Sequence, residues 1–297
     1  MFRKLWAACA LGAVVVLLPS PVFAWSWAAH RLIMRRAIDI LPAEIKPFFV
    51  ERREEIVNRS IDPDLWRDAG WDEDHNHFIN FGAPELGPYP FSGLPRDYTA
   101  ALEKFGLAGL RRLGTLPWRL PEMAGNLRRA FEGFARGSGL APQQAVLFAG
   151  AASHYVQDAT QPFHASNDYD GIAAGQRGIH SRFEEALIDR FASRLTITPA
   201  PPKTIPNLRE HAFELTLASY QKVDAILKAD KDAVGTKDTY DDEYFEAFFT
   251  KVKPVLDQQL SIAVSDTASM IVTMWEQAGR PALTLPPRAP QKVQRTR

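Results

Sequence analysis

Residues 154–184 read HYVQDATQPFHASNDYDGIAAGQRGIHSRFE, and the rest of the chain is organised around them. Two of the three histidines here open a His-x-x-x-acid pair: His154 with Asp158, and His180 with Glu184. On a helix, side chains four residues apart lie one above the other on one face. Each pair therefore offers an imidazole and a carboxylate to one point, and zinc takes such donors at roughly 2 Å. One such pair alone reads most simply as a packed histidine beside a solvated acid. Here both pairs fall on stripes that ought to face a core. Leu147, Ala151, His154 and Asp158 share one stripe, and His180, Phe183, Glu184, Leu187, Ile188 and Phe191 share the other. A buried carboxylate without a partner is costly, and a bound cation removes that cost. Two neighbouring helices with the same unfavourable pattern point to a buried metal centre.

The chain has 297 residues, of which 46% are apolar, enough for one large core. Its formal charge is zero, so it lacks the basic bias of a dedicated nucleic-acid binder. Residues 1–24 read as a signal peptide: Arg3 and Lys4, a short apolar run from Ala10 to Leu18, and a small-residue cleavage site ending at Ala24. Export to the periplasm or the medium is expected. Cleavage would remove Cys9, the only cysteine, and leave Trp25 as the N-terminus.

From there the pattern is helical throughout, and the expected fold is an all-α, single multi-helix domain. His30, Ile33, Met34, Ala37, Ile38 and Leu41 share a helix face, and a second helix is expected from Ala43 to Arg59. Ser60 to Phe81 is acidic and carries Asp62, Asp64, His75 and His77; a solvated loop is its simplest reading. The Gly- and Pro-rich segment from Gly82 to Pro95 reads as a surface loop, with Tyr89 and Phe91 placed to edge a cleft. Two helices broken near Pro117 and Pro121 fill Tyr98 to Gly137. Pro142 to Gln161 and Gly178 to Leu195 carry the His-acid pairs, with a flexible connector from Gly171 to Gly178. A Pro-rich joint then leads to helices over Leu208–Ala229, Glu243–Val252 and Val255–Gln277, with the run Lys228 to Asp232 read as solvated. Residues 281–297 read as a disordered tail.

SHYVQDATQPFHASN resembles the HxxxDxxQPxH signature of the zinc-dependent phospholipase C and S1/P1 nuclease superfamily, and a tryptophan followed shortly by a histidine is a second match. The resemblance implies an all-helical fold with three Zn²⁺ ions and makes residues 25–280 a phosphodiesterase domain. One zinc would take Asp64, His77, His154 and Asp158. A second would take Trp25, through its free amino group and carbonyl, with His30 and the bridging Asp158. The third would take His164, His180 and Glu184. Asp62 and His75 lie two residues from Asp64 and His77 and are the alternatives at those places. Asp64 would also serve as general base.

The run Gly178 to Glu184 looks like the phospholipase GxHSKYE motif, whereas the GGN of the nuclease branch is missing after Asp168. The phospholipase branch is therefore favoured. Its implied substrate is a phospholipid at a membrane or micelle surface, with no stable protein partner. Nucleic acid is the substrate only in the alternative, a single-strand nuclease or 3′-nucleotidase. A non-catalytic, zinc-stabilised exported protein is the second alternative. Ala28, Leu65 and Asp74 stand where the choline-binding phospholipases carry an acid and two aromatics, which weakens any expectation of choline specificity. No further membrane-binding domain is expected after the catalytic one.

Overall fold

A computed structural model describes residues 25–284. The expected signal peptide lies outside them, as does the tail from residue 285. The chain is all-α: no strand occurs among the described residues, and Phe81 and Ser166 form an isolated bridge. The helices are α1 (Trp27–Asp39), α2 (Lys46–Glu51), α3 (Arg53–Arg59), α4 (Asp62–Asp68), α5 (Tyr98–Leu113), α6 (Leu116–Ala135) and α7 (Ala141–Ala159). Next come α8 (Ile179–Ser181), α9 (Leu187–Phe191), α10 (Leu208–Tyr220), α11 (Val223–Val234) and α12 (Asp242–Gln277). A π turn, Arg182–Ala186, joins α8 to α9 without a break in the helical path.

Helix α7 is the axis of the molecule. Every residue from Ala149 to Ala159 is buried, so this stretch is covered on all sides rather than on one stripe. Helices α1, α3, α6, α10 and α12 pack around it. The tightest approach is at Gly150, where an added Cβ would lie 2.3 Å from Arg59 Cβ. That closeness brings the end of α3 against α7 and places the Ser60 carbonyl beside His154. A smaller apolar cluster, including Phe81, Phe91, Leu110 and Phe213, packs under the 82–95 loop.

Several expected boundaries move. The helix expected over 43–59 is broken at Arg52, and the one over 208–229 is broken at Gln221 and Lys222 and runs on to Val234. The break between α5 and α6 falls at Gly114 and Thr115, while Pro117 sits in the first turn of α6, where a missing N–H costs nothing. The two C-terminal helices are one, α12, which runs through Pro254 on its exposed side. Phe91 is buried against Phe81 and Tyr220 instead of edging a cleft.

The Pro-rich joint lies along α12. Ser261, Ser265, Ser269 and Thr273 each donate a hydroxyl hydrogen to the carbonyl four residues back. The same hydroxyl oxygens accept the backbone N–H groups of Thr198, Ala200, Lys203 and Ile205. An extended segment with no strand partner thereby satisfies its donors. Beyond Arg280, the Trp275 indole donates to the Pro281 carbonyl and Leu283 is buried, so packing continues past the expected start of the tail.

Candidate metal centre

Four pieces of chain converge at the C-terminal half of α7. Helix α7 brings His154 and Asp158, α1 brings His30, α4 brings Asp64, and the turn after Asn76 brings His77. The short 3-10 turn Pro162–Ala165 adds His164, and the α8 and π-turn segment adds His180 and Glu184. Their donor atoms fall into three groups: His30, His154 and Asp158; Asp64, His77 and His154; His164, His180 and Glu184. Within each group the atoms lie within 4.8 Å of one another, and all these side chains are buried.

The distances suit a small cation. His154 Nε2 lies 2.9 Å from His77 Nδ1 and 3.2 Å from Asp158 Oδ2. His77 Nδ1 lies 3.1 Å from the same Asp158 oxygen, and Asp64 Oδ1 is 3.9 Å from it and 4.0 Å from His154 Nε2. His30 Nε2 reaches the other Asp158 oxygen at 3.5 Å, so this carboxylate stands between two groups. In the third group Glu184 Oε2 is 2.9 Å from His180 Nε2 and 3.9 Å from His164 Nε2. Donors about 2.0 Å from a tetrahedral zinc are about 3.3 Å apart, which is the middle of this range.

Hydrogen bonds aim the rings. His154 Nδ1 donates to the Ser60 carbonyl at 2.8 Å, and His164 Nδ1 to the His77 carbonyl at 2.6 Å. His30 Nδ1 donates to Gln157 Oε1 at 2.6 Å. In each case Nε2 is turned toward the cluster, bare in His30 and His164 and against His77 and Asp158 in His154, the arrangement that orients metal-binding imidazoles. Gln161 donates its side-chain N–H to Glu184 Oε2. The bare atoms are numerous: His30 Nε2, both Asp64 oxygens, His77 Nε2, Asp158 Oδ1, His164 Nε2 and both His180 nitrogens have no hydrogen-bond partner. Native interiors contain few such atoms, and each calls for an explanation. Nitrogen and oxygen donors, buried, bare and convergent, fit zinc.

The ionisation of the cluster follows from the same crowding. Burial holds His180 down at about 4 and also lowers His164. Burial, with His154 alongside, holds His30 well below its usual range. Burial opposes a charge on His154 too, but the Asp158 and Asp64 carboxylates outweigh it and raise this ring to about 9. Burial would raise Asp158; His154 and His164 reverse that and hold it well below the usual carboxylate range. Burial raises Glu184 well above the usual range, against the pull of His164.

Above the cluster lies a cavity of about 420 Å³, lined by Arg67, Asp68, Asp74, His77, Tyr169 and His180 among others. His77, His164 and His180 form part of its wall. Helix α4 also places Arg67 Nη2 3.3 Å from Asp64 Oδ1.

Eight of the nine residues expected as ligands come together in these groups. Trp25 is buried beside them, its indole donating to the Gln157 carbonyl at 2.9 Å. Asp62 stays out, bonded to Arg59 at 3.2 Å, and His75 faces Asp72 at 3.7 Å. The acidic run 72–74 is not simply a solvated loop: Glu73 is buried, accepts from Tyr155 Oη and pairs with Arg119 at 3.0 Å. Sequence reasoning gave no role to Gln157, Gln161 or Arg182; the first two carry a signal, as amides at the buried end of α7 and just beyond it.

The fold and the grouped donors define an all-helical protein whose buried histidine and carboxylate groups could hold metal beneath a cleft. The chain belongs to the zinc-dependent phospholipase C family, whose model, described as zinc dependent phospholipase C, matches residues 29–261. No curated protein matches the chain by sequence. Among solved structures it is similar in fold to an alpha toxin from Clostridium absonum, with 16% identity and a TM-score of 0.51 over 83% of this chain and 63% of that one. It is equally similar to a Clostridium perfringens alpha-toxin from an avian strain, with 16% identity and a TM-score of 0.51 over 84% of this chain and 64% of the toxin. The chain thus spans less than two thirds of either toxin.

Proposed function

We propose that this protein is an exported, zinc-dependent phospholipase C that cleaves glycerophospholipids at a membrane or micelle surface. The observation that carries this reading is the set of bare, buried histidine and carboxylate atoms beneath a cavity that His77, His164 and His180 line. Three zinc ions are assigned. Asp64, His77, His154 and Asp158 would hold one; Trp25, by its amino group and carbonyl, would hold a second with His30 and Asp158; His164, His180 and Glu184 would hold the third. Zinc, when bound, supplies charge that stabilises the phosphoryl oxygens and acidifies water.

The chain's own residues do the rest. Arg67 in the cavity wall offers a guanidinium to a phosphate oxygen. Asp64 accepts the proton of the attacking water on Oδ2, which has no other partner. The water oxygen bonds to phosphorus, the phosphorus–oxygen bond to glycerol breaks, and the departing oxygen takes a proton from solvent, to which Asp64 releases its own, giving diacylglycerol and the phosphomonoester of the head group. Asp158, held ionised by His154 and His164, reaches His30 with one oxygen and His77 with the other and would be shared by two of these positions.

The test uses protein beginning at Trp25, with its zinc quantified, assayed in parallel on phosphatidylcholine, phosphatidylethanolamine and single-stranded DNA. About three zincs with diacylglycerol release is the expected result. Nucleotide release without diacylglycerol moves the protein to the nuclease branch. Zinc without either activity supports a structural role.

A further inference from the structure

A second buried ionic network lies behind the third donor group. Arg182 sits in the π turn, in the same stretch as His180 and Glu184, but its side chain is directed elsewhere. Its guanidinium meets buried Asp230 of α11, with Nε and Nη2 each 3.2 Å from the carboxylate. Nη1 donates to the Arg177 carbonyl at 2.7 Å and Nη2 to the Gln176 carbonyl at 3.1 Å. Tyr244 of α12 donates its hydroxyl to Asp230, and the Tyr240 ring covers the guanidinium at 4.0 Å. Gln176 closes the circuit, donating to Asp230 Oδ2 at 2.6 Å and to the Leu227 carbonyl at 2.8 Å.

This network pins the segment expected to be a flexible connector. The Asp168 carboxylate accepts the N–H groups of Ala173 and Ala174, and Asp170 accepts that of Gly178. Gly178 adopts φ +83°, a conformation that favours glycine, and a Cβ there would stand 3.0 Å from Arg182 Nη1. The segment enters the third donor group from this anchor. His164 reaches that group from α7 and the turn after it, whereas His180 and Glu184 both arrive on the anchored segment.

We propose that the Arg182–Asp230 pair is a positioning latch that sets the affinity of the His164, His180 and Glu184 position for its metal ion. The proposal rests on the reading of that group as a zinc position. Arg182 and Asp230 touch none of the grouped donor atoms. They act by fixing where the backbone that carries His180 and Glu184 runs, as groups behind metal ligands do.

The experiment is a zinc-buffered titration of the mature chain, following zinc bound per chain, with far-UV circular dichroism as the check on folding. Asp230→Asn keeps the shape and removes the charge opposite Arg182. The expected result is a folded protein in which one zinc binds about 10- to 100-fold more weakly while the others hold. Amide exchange should rise over residues 170–181 and stay unchanged in α7. Gln176→Met, which cuts only the bonds from the connector to α11, should show a smaller loss in the same ion and covers the case in which Asp230→Asn does not fold. Folded variants with wild-type affinity for every zinc overturn the latch. Glu184→Gln separates that result from failure of the metal reading: a wild-type chain with no zinc sensitive to Glu184→Gln overturns both.

Discussion

The donor cluster and the Arg182–Asp230 network are both buried, and both set carboxylates against cationic or cation-forming groups, yet they differ in one respect. Both Asp230 oxygens and all three Arg182 nitrogens have partners. In the donor cluster many of the atoms that face inward are bare, among them His30 Nε2, Asp158 Oδ1 and His164 Nε2. An ionic group removed from water loses several kcal/mol of solvation unless partners restore it. A network that is complete by itself therefore serves structure. A network left incomplete at several convergent atoms, while the Nδ1 groups of His30, His154 and His164 are anchored behind them, marks the place of an ion.

Asp158→Asn should do the most damage to the donor cluster. The carboxylate lies between two donor groups, so the amide should cost both of those positions together. Zinc should fall to about one per chain, and phosphodiesterase activity should fall by about 100-fold or more. Full zinc content by atomic emission would show that the bare atoms have another meaning. Next in size is an extension at the N-terminus. If the Trp25 amine is a ligand, one added residue turns it into a peptide nitrogen that cannot bind zinc. Loss of one zinc and most activity is expected, and an extended protein as active as the one starting at Trp25 would remove Trp25 from the set.

Much of this was legible in the chain because the chemistry is local. The pairs His154–Asp158 and His180–Glu184 are set by helical spacing, and the stripes around them say which way they face. The helical character of α1, α7 and α12 follows from the same periodicity. Asp230 was misread because its partners Arg182 and Gln176 lie 48 and 54 residues away; read alone, KADKD is a solvated run. Glu73 hid in an acidic stretch for the same reason, since Tyr155 and Arg119 come from two other helices. Pro254 suggested a break, but a proline on the exposed side of a long helix costs one hydrogen bond, and the buried face of α12 from Leu256 to Trp275 outweighs it.

A smaller change sharpens the comparison from the other side. Gln157 Oε1 holds His30 Nδ1–H, so Gln157→Leu should free the ring and leave its tautomer unset. Zinc at the His30 position should weaken by about 10- to 100-fold while Asp64 and His77 keep theirs. Competition with a chelator of known affinity measures it. An unchanged titration would mean that packing alone, including the stacked His154 ring at 4.1 Å, aims His30.

The smallest expected effect is a pH dependence that differs with and without metal. In the metal-free protein the raised His154, at about 9, carries a proton between the Asp158 and Asp64 carboxylates. A histidine whose folded pKa lies above its unfolded value of about 6.5 stabilises the fold fully below pH 6.5 and loses that contribution as pH rises through 9. Zinc takes the place of this proton, since ligation requires the neutral ring. The melting temperature of the chelator-treated protein should therefore decline between pH 6.5 and 9, and the increment restored by zinc should grow over the same window. His164 and His180, held low by burial, stay neutral throughout it and add nothing to the slope. A zinc increment that is flat from pH 6.5 to 9 would mean that His154 carries no proton in the metal-free state, and that the donor cluster is incomplete in charge as well as in hydrogen bonds.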